Sequence, residues 1–262
     1  MTVAERDLVG AIESTLHFYP PVPGLAEVLP IRGVQGRVTK FSHPLANLVG
    51  MARLDETSAD VAIGRVRDVY AQRRLAFGWV TGPNTQPRDL EQRLVAAGLH
   101  MEDRIAGMAV TDLDMPIDPN PRVNIREVTS NEALARNDMM ARAYGLPPDV
   151  NALFIRLLAA KSGIRARTYF ASIGDGEPVA WSYLTYVPDS PIVLLGGAAT
   201  VPEARGQGIY TALVKRRLDD ARSDGREAAV IQADRNTSAP ICEKLGFKEL
   251  CSLELFVWSP AT

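Results

Sequence analysis

The chain has 262 residues, of which 46% are apolar and 23% charged, values that are ordinary for one large or two modest globular domains. Its 29 basic and 31 acidic residues give a net charge of -2, so it lacks the basic excess of a nucleic-acid-binding protein. The chain has only two cysteines, so a disulfide framework or a cysteine-based metal site is not expected. Its three histidines all lie at or before His100, so the C-terminal half has no histidine for a His-rich metal site or a Ser-His-Asp triad.

Two further features predict where the protein works. No apolar run is long enough to span a membrane. The first residues carry acidic side chains early and have no basic leader before an apolar segment, unlike a signal peptide. We therefore expect a cytoplasmic protein that binds neither membrane nor nucleic acid.

A proline-rich connection divides the sequence. Residues 115–122 contain three prolines, which favour an extended, non-helical segment. We predict a domain boundary here, with one domain over residues 1–118 and another over residues 119–262.

The first half has a mixed α/β pattern. Its periodicity predicts helices over residues 4–16, 58–73 and 89–97 and strands over residues 38–41, 77–80 and 106–113.

The second half has a clearer pattern of the same class. A strand over residues 123–128 and helices over 131–144 and from 147 onward come first. An antiparallel meander of three strands follows, because turn sequences separate three apolar runs. A glycine-containing loop then leads to the last predicted elements: a helix from 209, a strand over 228–233, a helix over 238–245 and one or two strands over 247–258. The predicted fold class is α/β with a mixed sheet.

The glycine-containing loop is the first sequence with chemical meaning. Arg205-Gly206-Gln207-Gly208 directly precedes the helix that starts at Ile209. A helix N-terminus presents unpaired N–H groups and a partial positive charge, and glycines let the backbone approach a bulky anion. The loop predicts a phosphate-bearing ligand, although a plain strand-to-helix turn would also use two glycines. It is neither a Walker A loop nor a dinucleotide fingerprint.

A second segment gives this loop a context. Asn236, about 28 residues after the glycine loop, opens the run Asn-Thr-Ser-Ala, which leads to Leu245-Gly246-Phe247. This order of loop, helix, strand and closing helix resembles the GNAT acetyltransferase superfamily over residues of about 123–258. The resemblance implies a GNAT fold in the C-terminal half, acetyl-CoA as acyl donor, and N-acetyltransferase activity by direct attack of an amine. The acceptor would be a small-molecule or peptide amine that the sequence does not identify.

The resemblance also implies which residues hold acetyl-CoA. The strand before the loop would pair with the pantetheine arm, the loop and the first helical residues would hold the pyrophosphate, and one asparagine would contact the arm. These residues are Ala198, Ala199, Thr200, Arg205, Gly206, Gln207, Gly208, Ile209, Tyr210 and Asn236.

Three departures from the family pattern concern the chemistry. Tyr210 stands where the family has Gly or Ala, so we expect its ring to point into the helix packing. Cys242 stands where a family tyrosine protonates the departing thiolate; it is either that acid or a small buried filler. The strand over 192–199 lacks the carboxylate that many members use as a base. Tyr183 on the preceding strand is a candidate substitute, or a packing residue.

The N-terminal half offers a weaker resemblance. Its helix ending in Ala96-Ala-Gly-Leu99 is similar to the one ending in Leu245-Gly246-Phe247, which predicts a degenerate GNAT-like half without its own acetyl-CoA. An unrelated α/β cap is the alternative.

Two rival functions stay open at this point. The chain lacks the tyrosine acid and the carboxylate base of the family pattern. Their absence also fits a non-catalytic acyl-CoA-binding sensor or regulatory protein. A further reading is that the small residues Gly196, Gly197, Ala198 and Ala199 leave room for an acyl group larger than acetyl.

Overall fold

The computed structural model describes residues 3–19, 21–160 and 164–260, and the elements below belong to those residues. The α-helices are α1 Glu5–Ser14, α2 Ala59–Gln72, α3 Leu90–Ala96, α4 Ser130–Ala135, α5 Asn137–Tyr144, α6 Pro148–Ala159, α7 Ile209–Ser223 and α8 Ser238–Lys244. The strands are β1 Glu27–Val28, β2 Gln35–Val38, β3 Leu48–Gly50, β4 Phe77–Thr81, β5 His100–Val110, β6 Val123–Val128, β7 Ala166–Ile173, β8 Ala180–Tyr186, β9 Ile192–Thr200, β10 Ala228–Asp234 and β11 Lys248–Trp258.

All of these strands join in one mixed sheet, in the order β1-β2-β3-β4-β11-β5-β10-β9-β8-β7-β6. Within the described residues, β3 pairs with β4 in parallel and β9 with β10 in parallel, and the other neighbours are antiparallel. The predicted mixed α/β class and the antiparallel meander β7-β8-β9 are confirmed.

The two halves of the chain repeat one unit. The N-terminal half runs β3-α2-β4-α3-β5, and the C-terminal half runs β9-α7-β10-α8-β11. Each unit contains one parallel pair joined through a helix, and each ends in a long strand. The N-terminal half therefore has the same element order as the part of the chain that contains the glycine loop.

The last strands of the two units are exchanged. β5 pairs with β10 of the other unit, whereas β11 pairs with β4, and the two exchanged strands also pair with each other. The cores follow this exchange: Phe256 of β11 packs with Trp79 and Phe77 in the N-terminal core, and Met108 of β5 packs in the C-terminal core. The exchange therefore buries apolar side chains of each half within the other.

The structure corrects the predicted elements in three places. The strand predicted over residues 106–113 is β5, His100–Val110, because its pairing with β11 begins at His100. The helix predicted over residues 131–144 is two helices, because the backbone at Arg136 leaves the helical region (φ -112°, ψ 21°). The strand predicted over 38–41 lies earlier, at Gln35–Val38, because the Asn47 side chain holds the next residues as a loop. It accepts from the Thr39 N–H and donates to the Phe41 carbonyl.

The helices of the described residues include none with both the length and the apolar content needed to cross a bilayer. Likewise, no three His, Cys, Asp or Glu side chains among those residues come close enough together to form a metal site.

Candidate functional site

The centre of the site is a gap between two parallel strands. β9 and β10 pair only where Ile192–Leu194 face Ala228–Val230. Beyond this point β9 continues along β8 as far as Thr200, whereas residues 231–234 of β10 pair only with β5. We call the opening between residues 195–200 of β9 and residues 231–234 of β10 the wedge. Its two facing strand edges are free to pair with an extended ligand.

A bulge shapes the β9 side of the wedge. Tyr183 of β8 lies opposite Gly196, whereas Trp181 lies opposite Ala199, so β9 carries an extra residue here. Gly197 adopts φ +57°, and a Cβ at Gly196 or Gly197 would overlap the Tyr183 ring. The ring therefore fills the space above these two glycines. These two glycines therefore provide no free space for a larger acyl group, whereas the acyl-chain preference itself stays a prediction.

The glycine loop lies at the outer end of the wedge, as the sequence predicts. A turn at Pro202–Ala204 connects β9 to the loop, and Gly206 (φ +77°) and Gly208 (φ +73°) both take left-handed backbone conformations. Gly208 is the N-cap of α7 and provides no side chain to cap it, so the first-turn N–H groups have no partner within the helix. Arg205 reaches back and donates from Nε to the Thr200 carbonyl, which places its charge between loop and wedge.

The linker between the two halves also reaches this loop. Asn120 donates from Nδ2 to the Gln207 carbonyl, and a Cβ on Gly208 would come to 3.4 Å from the Asn120 Cβ. An open depression at the loop is lined by Asp118, Asn120, Arg122, Gly206, Gln207, Gly208 and Thr211. Sequence reasoning treated residues 115–122 only as a connection and missed Asn120 and Arg122 here. The side chains that line this depression thus include the guanidinium of Arg122 and the carboxylate of Asp118.

The two unusual residues of the site touch each other. The Tyr210 hydroxyl lies 3.4 Å from the Cys242 Sγ, so the first turn of α7 meets α8. The Tyr210 ring packs on the C-terminal core, in the direction expected from the sequence. Burial raises the pKa of both side chains, and each keeps its proton at neutral pH. Either group is thus a proton donor rather than a base.

Asn236 lies at the outer end of the wedge. It is the second residue after β10 and is exposed, and its backbone N–H donates to the Asp234 side chain. The structure thus brings the predicted strand, loop and asparagine around one opening.

Tyr183 lies on the opposite face of the sheet from α7. Its hydroxyl is 3.4 Å from the Tyr19 hydroxyl of the N-terminal half. Burial raises the pKa of Tyr183 well above its usual value. This direction disfavours the predicted role as a base, and the phenol stays a candidate hydrogen-bond donor.

A cavity adjoins the inner end of the wedge on this face. It encloses about 800 Å³ of space free of protein atoms, partly open to solvent, and we call it the aromatic cavity. It is lined by Thr15, Leu16, Phe18, Tyr19, Arg37, Leu45, Leu48, Tyr144, Leu146, Asn151, Phe154, Leu158, Ile164, Trp181, Tyr183, Thr185, Leu194, Gly197 and Gln232. These residues come from both halves of the chain. Gly197 of β9 and Gln232 of β10 connect the cavity to the wedge.

Sequence reasoning missed the polar residues of this cavity. Arg37, Thr185 and Gln232 lie on three strands far apart in the chain, and Gln232 donates to the Ile12 carbonyl and to Thr15 of the N-terminal segment. The local pattern gives no signal for Arg37, because its strand, Gln-Gly-Arg-Val, has only one apolar side chain.

Comparison with known proteins agrees with this geometry. Residues 140–247 match the family model described as "Acetyltransferase (GNAT) family". This confirms the resemblance inferred from the loop and from the asparagine segment. A search of curated proteins finds no significant match.

Solved structures similar to this one extend over both halves. A GCN5-related N-acetyltransferase from Kribbella flavida has 18% sequence identity and a TM-score of 0.69, over 100% of this chain and 97% of that one. A tandem GNAT protein from the clavulanic acid biosynthesis pathway has 13% identity and a TM-score of 0.63, over 100% and 98% of the two chains. A conserved protein of unknown function from Staphylococcus epidermidis has 10% identity and a TM-score of 0.65, over 92% and 96%. The GNAT fold is thereby confirmed over the whole chain.

Proposed function

We propose that this chain, whose residues 140–247 match the GNAT acetyltransferase family and whose fold is that of GNAT proteins throughout, is an acetyl-CoA-dependent N-acetyltransferase. One observation carries the proposal. The wedge between β9 and β10 ends at the unpaired amides of α7, behind two left-handed glycines. This opening presents strand edges to an extended amide-containing arm and a helix N-terminus to a diphosphate.

The residues of the site match the parts of acetyl-CoA. The amides of Gly206 to Tyr210 and the charge of Arg205 would hold the pyrophosphate. The backbone of Ala198, Ala199 and Thr200 would pair with the pantetheine arm, and Asn236 would contact it from the other side. Acetyl-CoA would supply an acetyl group already activated as a thioester. Gly208 supports this fit, because it lines the open depression at the loop. A side chain there would extend into this depression, beside Asn120.

We propose that the acceptor binds in the aromatic cavity. It opens onto the wedge from the opposite face of the sheet, so an amine bound in it would approach the inner end of the wedge. Much of the rate would come from holding the two reactants together, and the buried phenols and the Cys242 thiol would act as donors. We propose a small-molecule or peptide amine as acceptor, with no nucleic acid or membrane as partner. A cytoplasmic location accords with the nearly balanced charge.

A second candidate function is a non-catalytic acyl-CoA-binding sensor or regulatory protein. The contact between Tyr210 and Cys242 favours a sensor, because this contact links α7 to α8. The absence of a carboxylate from the β9 sequence favours it too. Release of CoA from acetyl-CoA with a panel of amines separates the two: an enzyme turns over, whereas a sensor binds without turnover.

Calorimetric titration with acetyl-CoA tests the cofactor site. We expect one equivalent to bind to the native protein and none to Gly208→Asp, because the new side chain places negative charge against the pyrophosphate. Gly225→Asp is the matched control, since Gly225 has nearly the same φ (+71°) just beyond the other end of α7 and has free space around it. Unchanged affinity in Gly208→Asp, or no binding to the native protein, would contradict the proposed site.

A further inference from the structure

The aromatic cavity contains a buried cation without an acidic partner. Arg37 is 6% exposed, and no Asp or Glu oxygen among the described residues lies within 4.0 Å of its guanidinium. The cavity lining contains no carboxylate either. A guanidinium stays charged in proteins, and burying an isolated charge is costly. The positive charge of Arg37 therefore has no ionic partner among the described residues.

The hydrogen bonds of Arg37 leave part of its donor capacity free. Nε donates to the Ala46 carbonyl, Nη1 to the Leu16 carbonyl and Nη2 to the Leu45 carbonyl. A guanidinium has five N–H groups, so two more can bind a ligand. The rings of Tyr19 and Phe154 lie 5.0 and 5.6 Å from its central carbon, where they hold the guanidinium in place by cation–π attraction.

A second polar group of the cavity has no partner. The Thr185 hydroxyl is buried without a hydrogen bond, and the residue is only 3% exposed. Thr185 shares the cavity face of β8 with Trp181 and Tyr183. An unsatisfied buried hydroxyl costs free energy that a ligand oxygen would recover.

We propose that the acceptor is an amine that also carries a carboxylate, and that Arg37, assisted by the Thr185 hydroxyl, binds this carboxylate in the aromatic cavity. The surrounding rings and aliphatic side chains select an apolar body between the carboxylate and the wedge. The substrate class is thus an apolar or aromatic amino acid or a related amino carboxylate. This inference rests on the proposed acetyltransferase function for the role of the amine.

Pairs of ligands that differ only in charge test the inference in the native protein. The non-reacting probes are 3-phenylpropanoate and its carboxamide, and the reacting probes are phenylalanine and phenylalaninamide. We expect the carboxylate of each pair to bind at least about tenfold tighter by calorimetry, since hydrogen bonds to charged groups are the stronger ones. Equal binding of the two members, or binding of neither, overturns the inference.

Three variants assign the preference to its residues. Thr185→Val keeps the shape of the side chain, and Arg37→Lys keeps the charge but loses the fork of donors. We expect Thr185→Val to weaken carboxylate binding several-fold, and Arg37→Lys to reduce it further, while carboxamide binding stays unchanged. Ser182→Ala is the matched control, because Ser182 is also buried without a partner on β8 but does not line the cavity. A carboxylate preference that survives in both cavity variants overturns the inference; if Arg37→Lys does not fold, Thr185→Val decides.

The probes separate this inference from the proposed function. The binding of 3-phenylpropanoate requires neither acetyl-CoA nor turnover, so its loss in Thr185→Val supports the carboxylate site even in a sensor. Failure of acetyl-CoA binding, by contrast, removes the proposed function and leaves the anion site standing.

Discussion

Cys242 and Tyr210 depart from the residue pattern of the GNAT family. Each occupies a position where the family has a different residue, and the structure brings the thiol and the phenol to 3.4 Å from each other. Both side chains are protonated at neutral pH because burial raises their pKa values. The pair is therefore a candidate proton donor.

Replacing the thiol tests this role. We expect Cys242→Ala to lower turnover with an active acceptor by at least about tenfold, a modest loss for a proton donor, and to leave acetyl-CoA affinity unchanged. Cys251→Ala is the control, because Cys251 is the other buried free cysteine and lies on β11. If the two variants turn over at equal rates, Cys242 is only a packing residue.

His17 makes stability depend on pH. Burial, assisted by the charge of Arg37, lowers its pKa to about 3, and its Nδ1 has no hydrogen-bond partner. The unfolded chain binds a proton at His17 below about pH 6.5, whereas the folded protein does not. The free energy of unfolding therefore falls as pH decreases from about 6.5 towards 3, by up to about 1.4 kcal/mol per pH unit.

Urea unfolding at about pH 7 and about pH 5 measures this effect. We expect His17→Gln to reduce the difference in unfolding free energy between the two pH values, which makes the curve flatter. His100→Gln, which changes an exposed histidine on β5, should keep the native difference. The same slope in both variants would contradict the assignment to His17.

At the scale of elements, a single amide decides where β2 ends. Asn47 is fully buried and bonds to the Thr39 N–H and hydroxyl and to the carbonyls of Phe41 and Ala76. It thereby ties the loop after β2 to the start of β4. This explains why residues 39–41, predicted as part of a strand, form a loop in the folded protein.

Removing this amide should be costly. We expect Asn47→Ala to lower the free energy of unfolding by about 2–4 kcal/mol, since several buried partners lose their hydrogen bonds together. Asn131→Ala, at an exposed position of α4, should change it by less than about 0.5 kcal/mol. A similarly small effect at both positions in chemical denaturation would show that the loop holds its shape without Asn47.

At the scale of the whole molecule, the exchange of β5 and β11 joins the two halves. Each half completes its sheet and its core with a strand from the other, so neither is a closed unit without its partner. The predicted boundary in residues 115–122 divides the chain in sequence, whereas the sheet is continuous across both halves.

This arrangement predicts one unfolding transition. Phe256→Ala removes a β11 side chain from the N-terminal core and should destabilise the protein by about 3–5 kcal/mol. Tryptophan fluorescence and far-UV circular dichroism should shift together, because Trp79 and Trp181 report on the two cores. Ile241→Ala, at an exposed position of α8, should leave the midpoint nearly unchanged. Two separate unfolding transitions, of which Phe256→Ala shifts only one, would contradict the coupling of the halves.

The sequence predicted most elements of the second half and the loop of the site, because these depend on neighbouring residues. Apolar periodicity located α7, β10 and α8 to within a residue or two, and glycines marked the left-handed positions at 206 and 208. In the first half, β1 and β3 have only two or three residues each, too short for a period to show. Their pairing with neighbouring strands, rather than their own pattern, creates them.

The sequence by itself thus indicated the resemblance to GNAT proteins, the mixed α/β class and the glycine loop at the start of α7. Only the tertiary structure decided that the last strands are exchanged, that Tyr210 meets Cys242, and that Arg37 and Thr185 line the same cavity. The physical reason is the range of the forces involved. Helix and turn preferences act over a few residues, whereas strand pairing and the burial of a charge depend on residues more than a hundred positions apart.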